Sequence, residues 1–92
     1  MAVGDDVGDL EPCNPKARTF PLSWKESYFR LNFNLELNGY VCPNCQRVFR
    51  GTKGFKELNA DHRYPYSKGG LTVWSNLQLL CLRCNLTKSN IL

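Results

Sequence analysis

The chain has 92 residues, five cysteines and a single histidine, and its formal net charge is +4. A length of this order supports one domain and buries too little apolar surface to be comfortably stable without a cross-link. No stretch approaches the roughly 18 apolar residues of a membrane span, and the acidic start "MAVGDDVGDL" is unlike a signal peptide, so the chain reads as soluble and cytoplasmic, with no membrane partner and with reduced cysteines.

Residues 1–20, with Gly4, Gly8, Pro12, Pro15 and four acids, show no apolar period and read as a flexible lead or linker, leaving 21–92 as the folded domain. From Ser23 the pattern Ser-x-x-Glu, ending at Glu26, resembles a capping box. Apolar residues recur at Trp24, Tyr28, Leu31 and Leu35, and Gly39 follows as a stop, so the spacing predicts a helix over about 23–38. A rival period is present in "LNFNLEL", where Leu31, Phe33, Leu35 and Leu37 alternate with polar neighbours as in a strand. On either reading the aromatics are core residues.

Four cysteines form two knuckles, "CPNC" (Cys42, Cys45) and "CLRC" (Cys81, Cys84). A two-residue gap lets both thiolates of a turn point at one tetrahedral zinc ion, and Pro43 helps bend the first turn. Disulfides or a redox pair are the alternatives, and Cys13 is left over. The interval 46–80 is longer than in compact zinc ribbons, so further structure must be folded into it. It opens with two strand candidates, around Arg47–Arg50 and Phe55–His62, separated by the turn signal "GTKG". "YPYSKGGL" is a loop, "NLQLLC" suits a buried strand, and "LRCNLTKSN" has helical spacing at Leu82 and Leu86, with Lys88 in its last turn. From residue 55 onward the order is therefore strand, loop, strand, helix between zinc knuckles.

Charge is unevenly spread over these elements. Residues 1–39 hold four Lys or Arg against six acids, a net of −2, whereas residues 40–92 hold eight against two, a net of +6. Four thiolates and one zinc ion together carry −2, so the second part keeps about +4 with metal bound. Such a field attracts polyanions, nucleic acid above all, although an ordinary solvated surface has the same composition.

"CPNC", "ADHRYPYSKGG", "NLQLLC" and "CLRCNLTKSN", covering about residues 40–90, resemble the HNH endonuclease family, also called the ββα-metal nucleases. Asp-His, Pro, Ser, Gly-Gly, Asn-Leu-Gln-Leu-Leu-Cys and Cys-Asn-x-x-Lys stand in the family's order and spacing. One position departs: the family's final His, directly after the last knuckle cysteine, is Asn85, so the triplet reads His62, Asn76, Asn85. The resemblance implies an α+β protein with a small ββα-metal fold, a structural zinc site and a preceding N-terminal helix. It also implies a DNA endonuclease, either a restriction-type enzyme or the catalytic domain of one, leaving 5′ phosphate and 3′ hydroxyl.

Hydrolysing a phosphodiester requires a base for the attacking water, a cation to neutralise charge developing on phosphate, and help for the departing 3′ oxygen. His62 is the only side chain whose unperturbed pKa suits a base near neutral pH. Asp61 points to the opposite face if both lie on a strand, so a bend near "DHRYP" is expected to bring the two to one site. By the resemblance, Asp61 and Asn85 hold one divalent ion, and Asn76 bonds the backbone of the loop and so fixes where His62 points. Two oxygen donors suit Mg²⁺ or Mn²⁺ better than zinc. Arg63, Lys68, Arg83 and Lys88 are the candidates for phosphate contacts on double-stranded DNA, and such contacts do not read sequence. Target choice then rests with a further DNA-recognition domain, a homodimer partner, or neither. Two other classes stay open: a zinc-ribbon nucleic-acid binding module that does not cut, and a structural or protein-partner zinc module.

Overall fold

The computed structural model describes residues 10–91, and side chains as far as Lys88. Among the described residues, three short helices and two antiparallel strand pairs make an α+β fold. In chain order they are α1 (Leu22–Leu31), β1 (Tyr40–Val41), β2 (Val48–Phe49), α2 (Gly51–Lys56), β3 (Leu58–His62), β4 (Leu77–Cys81) and α3 (Leu82–Ile91). Short 3₁₀ turns occupy Tyr66–Lys68 and Trp74–Asn76. No helix among the described residues is long and apolar enough to cross a membrane.

The β3–β4 pair, followed directly by α3, is the ββα unit. Its register runs unbroken from Leu58 opposite Cys81 to His62 opposite Leu77. Leu58, Leu77 and Leu79 are completely or almost completely buried, each worth about 1.5–3 kcal/mol relative to exposure. Phe20, Trp24, Tyr40 and Phe49 close the core around them. The Tyr40 hydroxyl donates to the Leu79 carbonyl at 2.8 Å, joining the β1–β2 hairpin to the ββα unit.

The first helix is shorter than the spacing predicts, ending at Leu31 instead of near residue 38. Both Asn32 donors, backbone and side chain, bond the Tyr28 carbonyl. Asn34 and Gly39 then exchange backbone hydrogen bonds of 2.8 and 3.1 Å, and the Asn34 side chain accepts from the Leu37 N–H. Asn side chains that capture nearby backbone groups compete with helix continuation. The alternation in "LNFNLEL" is not a strand either, for Leu35 lies in this loop 86% exposed. The capping box is also corrected: Pro21 is the N-cap, and Ser23, inside the first turn, donates its hydroxyl to Glu11.

"GTKG" does not turn between strands. It begins α2, which continues to Lys56, so β3 starts only at Leu58 and the strand before it is the pair Val48–Phe49. Gly54 allows that helix to lie on β2, because a Cβ there would come within 2.7 Å of the Phe49 carbonyl carbon.

Of the segment 1–20, residues 1–9 lie outside the described residues. Residues 10–20 contact the rest of the fold. The Trp24 indole N–H donates to the Glu11 carbonyl at 2.7 Å, the Thr72 N–H donates to the Pro15 carbonyl at 2.7 Å, and Phe20 is buried.

Candidate active site and metal centre

The two knuckles come from different elements, the β1–β2 hairpin and the junction of β4 with α3. Cys42 and Cys45 sit in the turn of the β1–β2 hairpin, where Gln46 adopts a left-handed φ of 69° and its N–H reaches back to the Cys42 carbonyl at 2.9 Å. Cys81 is the last residue of β4, and Cys84 lies in the first turn of α3. All four sulfurs lie within 4.8 Å of one another, and Cys45 Sγ is 3.8 Å from Cys81 Sγ. Zinc–sulfur bonds of about 2.3 Å at tetrahedral angles set sulfurs about 3.8 Å apart, so the four thiols could hold a zinc ion.

Arg47 prepares the thiolates. Its backbone N–H and guanidinium bring the Cys45 thiol down to about 6. Burial pushes Cys81 up, but the Cys84 backbone N–H and the Arg47 guanidinium, 3.4 Å from its sulfur, outweigh that and lower it. Cys13 stands apart from the cluster.

On the other side of the ββα unit, an open cleft of about 620 Å³ is lined by Asp61, His62 and Asn85, together with Arg18, Tyr66 and Lys88. The strand keeps its register through His62, so the two neighbours do leave on opposite faces and no bend within β3 unites them. They share the cleft because it opens at the strand's end. Asp61 faces α3. Its Oδ2 accepts from Gln78 Nε2 at 2.8 Å and from Lys88 Nζ at 2.6 Å, and the same ammonium donates to the His62 carbonyl at 2.6 Å. Its Oδ1 accepts no hydrogen bond among the described residues. Asp61 Oδ2 and the His62 carbonyl already draw one cation, the Lys88 ammonium, and with Asn85 lining the same cleft these hard oxygen donors fit the chemistry of a divalent ion.

His62 faces the loop and the N-terminal segment. Its ring lies 4.5 Å from Phe20 and 5.6 Å from Tyr66, centroid to centroid, and Nε2 is 2.8 Å from the Thr72 hydroxyl. Burial lowers its pKa below the ordinary 6.5, and the Lys88 charge works in the same direction against Asp61.

Asn76 closes the loop between the strands. Its Oδ1 accepts from the Tyr64 N–H at 2.8 Å, and its Nδ2 donates to the carbonyls of Tyr64 at 3.1 Å and Leu71 at 2.8 Å. Gly70 makes the loop's tight return, since a Cβ there would stand 1.8 Å from the Tyr64 carbonyl oxygen.

A family model for HNH endonucleases matches residues 42–90, just over half of the chain. The chain belongs to the HNH endonuclease family. No curated protein and no solved structure shows a significant match. The HNH unit thus runs from the first knuckle through α3, and the β3–loop–β4–α3 order of the sequence reading holds across it.

Of the four basic residues singled out for phosphate, Lys68 and Arg83 are exposed, with no side-chain hydrogen bond among the described residues. Arg63 donates to the Tyr28 hydroxyl at 2.7 Å, and Lys88 is engaged with Asp61. Sequence reasoning missed Arg18, Gln78 and Thr72. Gln78 lies opposite Asp61 in the strand register, and Arg18 reaches the cleft with its guanidinium 5.6 Å from the centre of the Tyr66 ring. Neither relation has a signal in local sequence.

Proposed function

We propose that this HNH protein is a metal-dependent endonuclease of restriction type, or the catalytic domain of one, cutting double-stranded DNA to leave 5′ phosphate and 3′ hydroxyl. The observation that carries the reading is the single cleft lined by Asp61, His62 and Asn85 at the end of a strand pair anchored by the cysteine cluster. The nuclease domain spans residues 21–92, with residues 10–20 packed against it and a structural zinc ion on Cys42, Cys45, Cys81 and Cys84.

His62 takes the proton from the attacking water. Its lowered pKa keeps the imidazole neutral, and so able to accept, at neutral pH. Asp61 and Asn85 would hold Mg²⁺ or Mn²⁺, and the ion would supply positive charge to neutralise the scissile phosphate and the leaving 3′ oxygen. Lys88, whose ammonium bonds the Asp61 carboxylate, would be released to contact phosphate if a divalent ion neutralised that carboxylate. Asn76 keeps the loop in the shape that aims His62, a contribution of orientation. Lys68, Arg83, Arg63 and Arg18 supply positive charge along the DNA backbone, and sequence choice comes from a further domain or a second copy.

Plasmid cleavage with Mg²⁺ or Mn²⁺, comparing the native chain with His62→Ala, tests the reading. The native protein should nick and linearise, EDTA should stop it, and His62→Ala should be inactive yet still bind DNA. Salt-dependent DNA binding with no cleavage by the native chain under either metal would make it a binding module instead.

A further inference from the structure

Thr72 is the one completely buried polar side chain among the described residues. Its hydroxyl touches two groups, the Ala17 carbonyl oxygen and His62 Nε2 at 2.8 Å. A carbonyl can only accept, so the single hydroxyl proton goes to Ala17. The hydroxyl oxygen must then accept from His62, which puts the imidazole proton on Nε2 and leaves the lone pair on Nδ1. Among the described residues Nδ1 has no hydrogen-bond partner, and no partnerless side-chain nitrogen or oxygen is buried, so Nδ1 is open to solvent. Thr72 is itself pinned from the same side, because its N–H donates to the Pro15 carbonyl at 2.7 Å. Phe20, a few residues further along that segment, lies against the imidazole face.

We propose that Thr72 is a positioning residue for the catalytic histidine, and that residues 15–20 are part of the active site through it. The chain of bonds Ala17 carbonyl, Thr72 hydroxyl and His62 Nε2–H fixes the tautomer and the ring plane, so that Nδ1 is the atom presented to the attacking water. This rests on the nuclease reading for its catalytic consequence, but the hydrogen-bond chain can be read without any cleavage. A neutral group in this role also suits the site, because a carboxylate behind the histidine would add a second anion next to Asp61.

Because His62 is the only histidine, its imidazole nitrogens give unambiguous NMR signals. At about pH 8, where the ring is neutral, the native protein should show one tautomer with a slowly exchanging Nε2–H. Thr72→Ser should retain it, and the isosteric Thr72→Val should lose it. In cleavage assays Thr72→Val should lower kcat on the order of 10²-fold, the scale of a misplaced catalytic group, with KM for DNA nearly unchanged, while Thr72→Ser restores most of the rate. A protected Nε2–H that survives in Thr72→Val would overturn the proposal, as would equal loss of rate in the Ser and Val variants with native-like melting. A native chain that shows the protected proton, loses it in Thr72→Val, and cuts no DNA would support the positioning role and refute the nuclease reading.

Discussion

Replacing Asn76 by Asp changes one atom of the amide and reverses its hydrogen-bonding sense. In the native loop the Asn76 Oδ1 accepts from Tyr64 N–H, a bond a carboxylate keeps, while Nδ2 donates to the carbonyls of Tyr64 and Leu71. With Asp, both donor contacts become oxygen against oxygen. These groups are near water, so each lost bond costs about 0.5–1 kcal/mol. Asn76→Ala, which loses three, should therefore cost roughly 2 kcal/mol. Asn76→Asp loses two but adds repulsion at two carbonyls, so its cost should reach or exceed that of Asn76→Ala, at about 2–3 kcal/mol. For a domain of this size 2 kcal/mol corresponds to a fall in Tm of about 8–16 °C. Thermal unfolding of the zinc-loaded protein gives the ranking, and amide exchange at Tyr64 separates the causes: protection should persist in Asn76→Asp and vanish in Asn76→Ala. Both variants melting within about 2 °C of the native protein, or an Asp variant clearly more stable than the Ala one, would show that the amide does not hold the loop.

The cysteine cluster should behave as a folding element: Cys81→Ser should lower the Tm markedly and reduce bound zinc, whereas Cys13→Ser should leave both unchanged, as measured by melting and metal analysis. Asn85→His should keep activity with Mn²⁺ and gain it relative to native with Ni²⁺ or Co²⁺, because imidazole gains more from those ions, and Asn85→Ala should lose most activity; identical metal profiles for all three forms would mean that Asn85 does not touch the ion. Lys88→Met removes the ammonium that shares Asp61 Oδ2 at 2.6 Å, so Mn²⁺ should bind several-fold more tightly by calorimetry, the effect of about 1 kcal/mol of competition; weaker binding would overturn this account of Lys88. His62 has a folded-state pKa below 6.5, so protonation opposes both the fold and the base: its stabilising contribution is present above 6.5 and lost as pH falls through the lowered value, and kcat should be flat around neutrality and fall only on the acid side.

What could be read along the chain was whatever depends on covalent spacing. Two CxxC turns, a histidine behind an aspartate, and an apolar run leading into the second knuckle each constrain geometry over a few residues, and together they specify the ββα unit and its cysteine cluster. The tertiary structure decided what depends on competition between distant groups. The helix stops at Leu31 because Asn32 and Asn34 capture backbone bonds there, and "GTKG" coils because Gly54 can lie against Phe49. Asp61 and His62 come to one cleft through the ending of a strand and the approach of α3, not through a bend in their own segment. Thr72, separated from His62 by ten residues and from Ala17 by fifty-five, meets both only because burying Phe20 draws the N-terminal segment across the loop. A buried hydroxyl must find partners wherever packing places it, and that placement has no periodicity or spacing by which the chain alone could announce it.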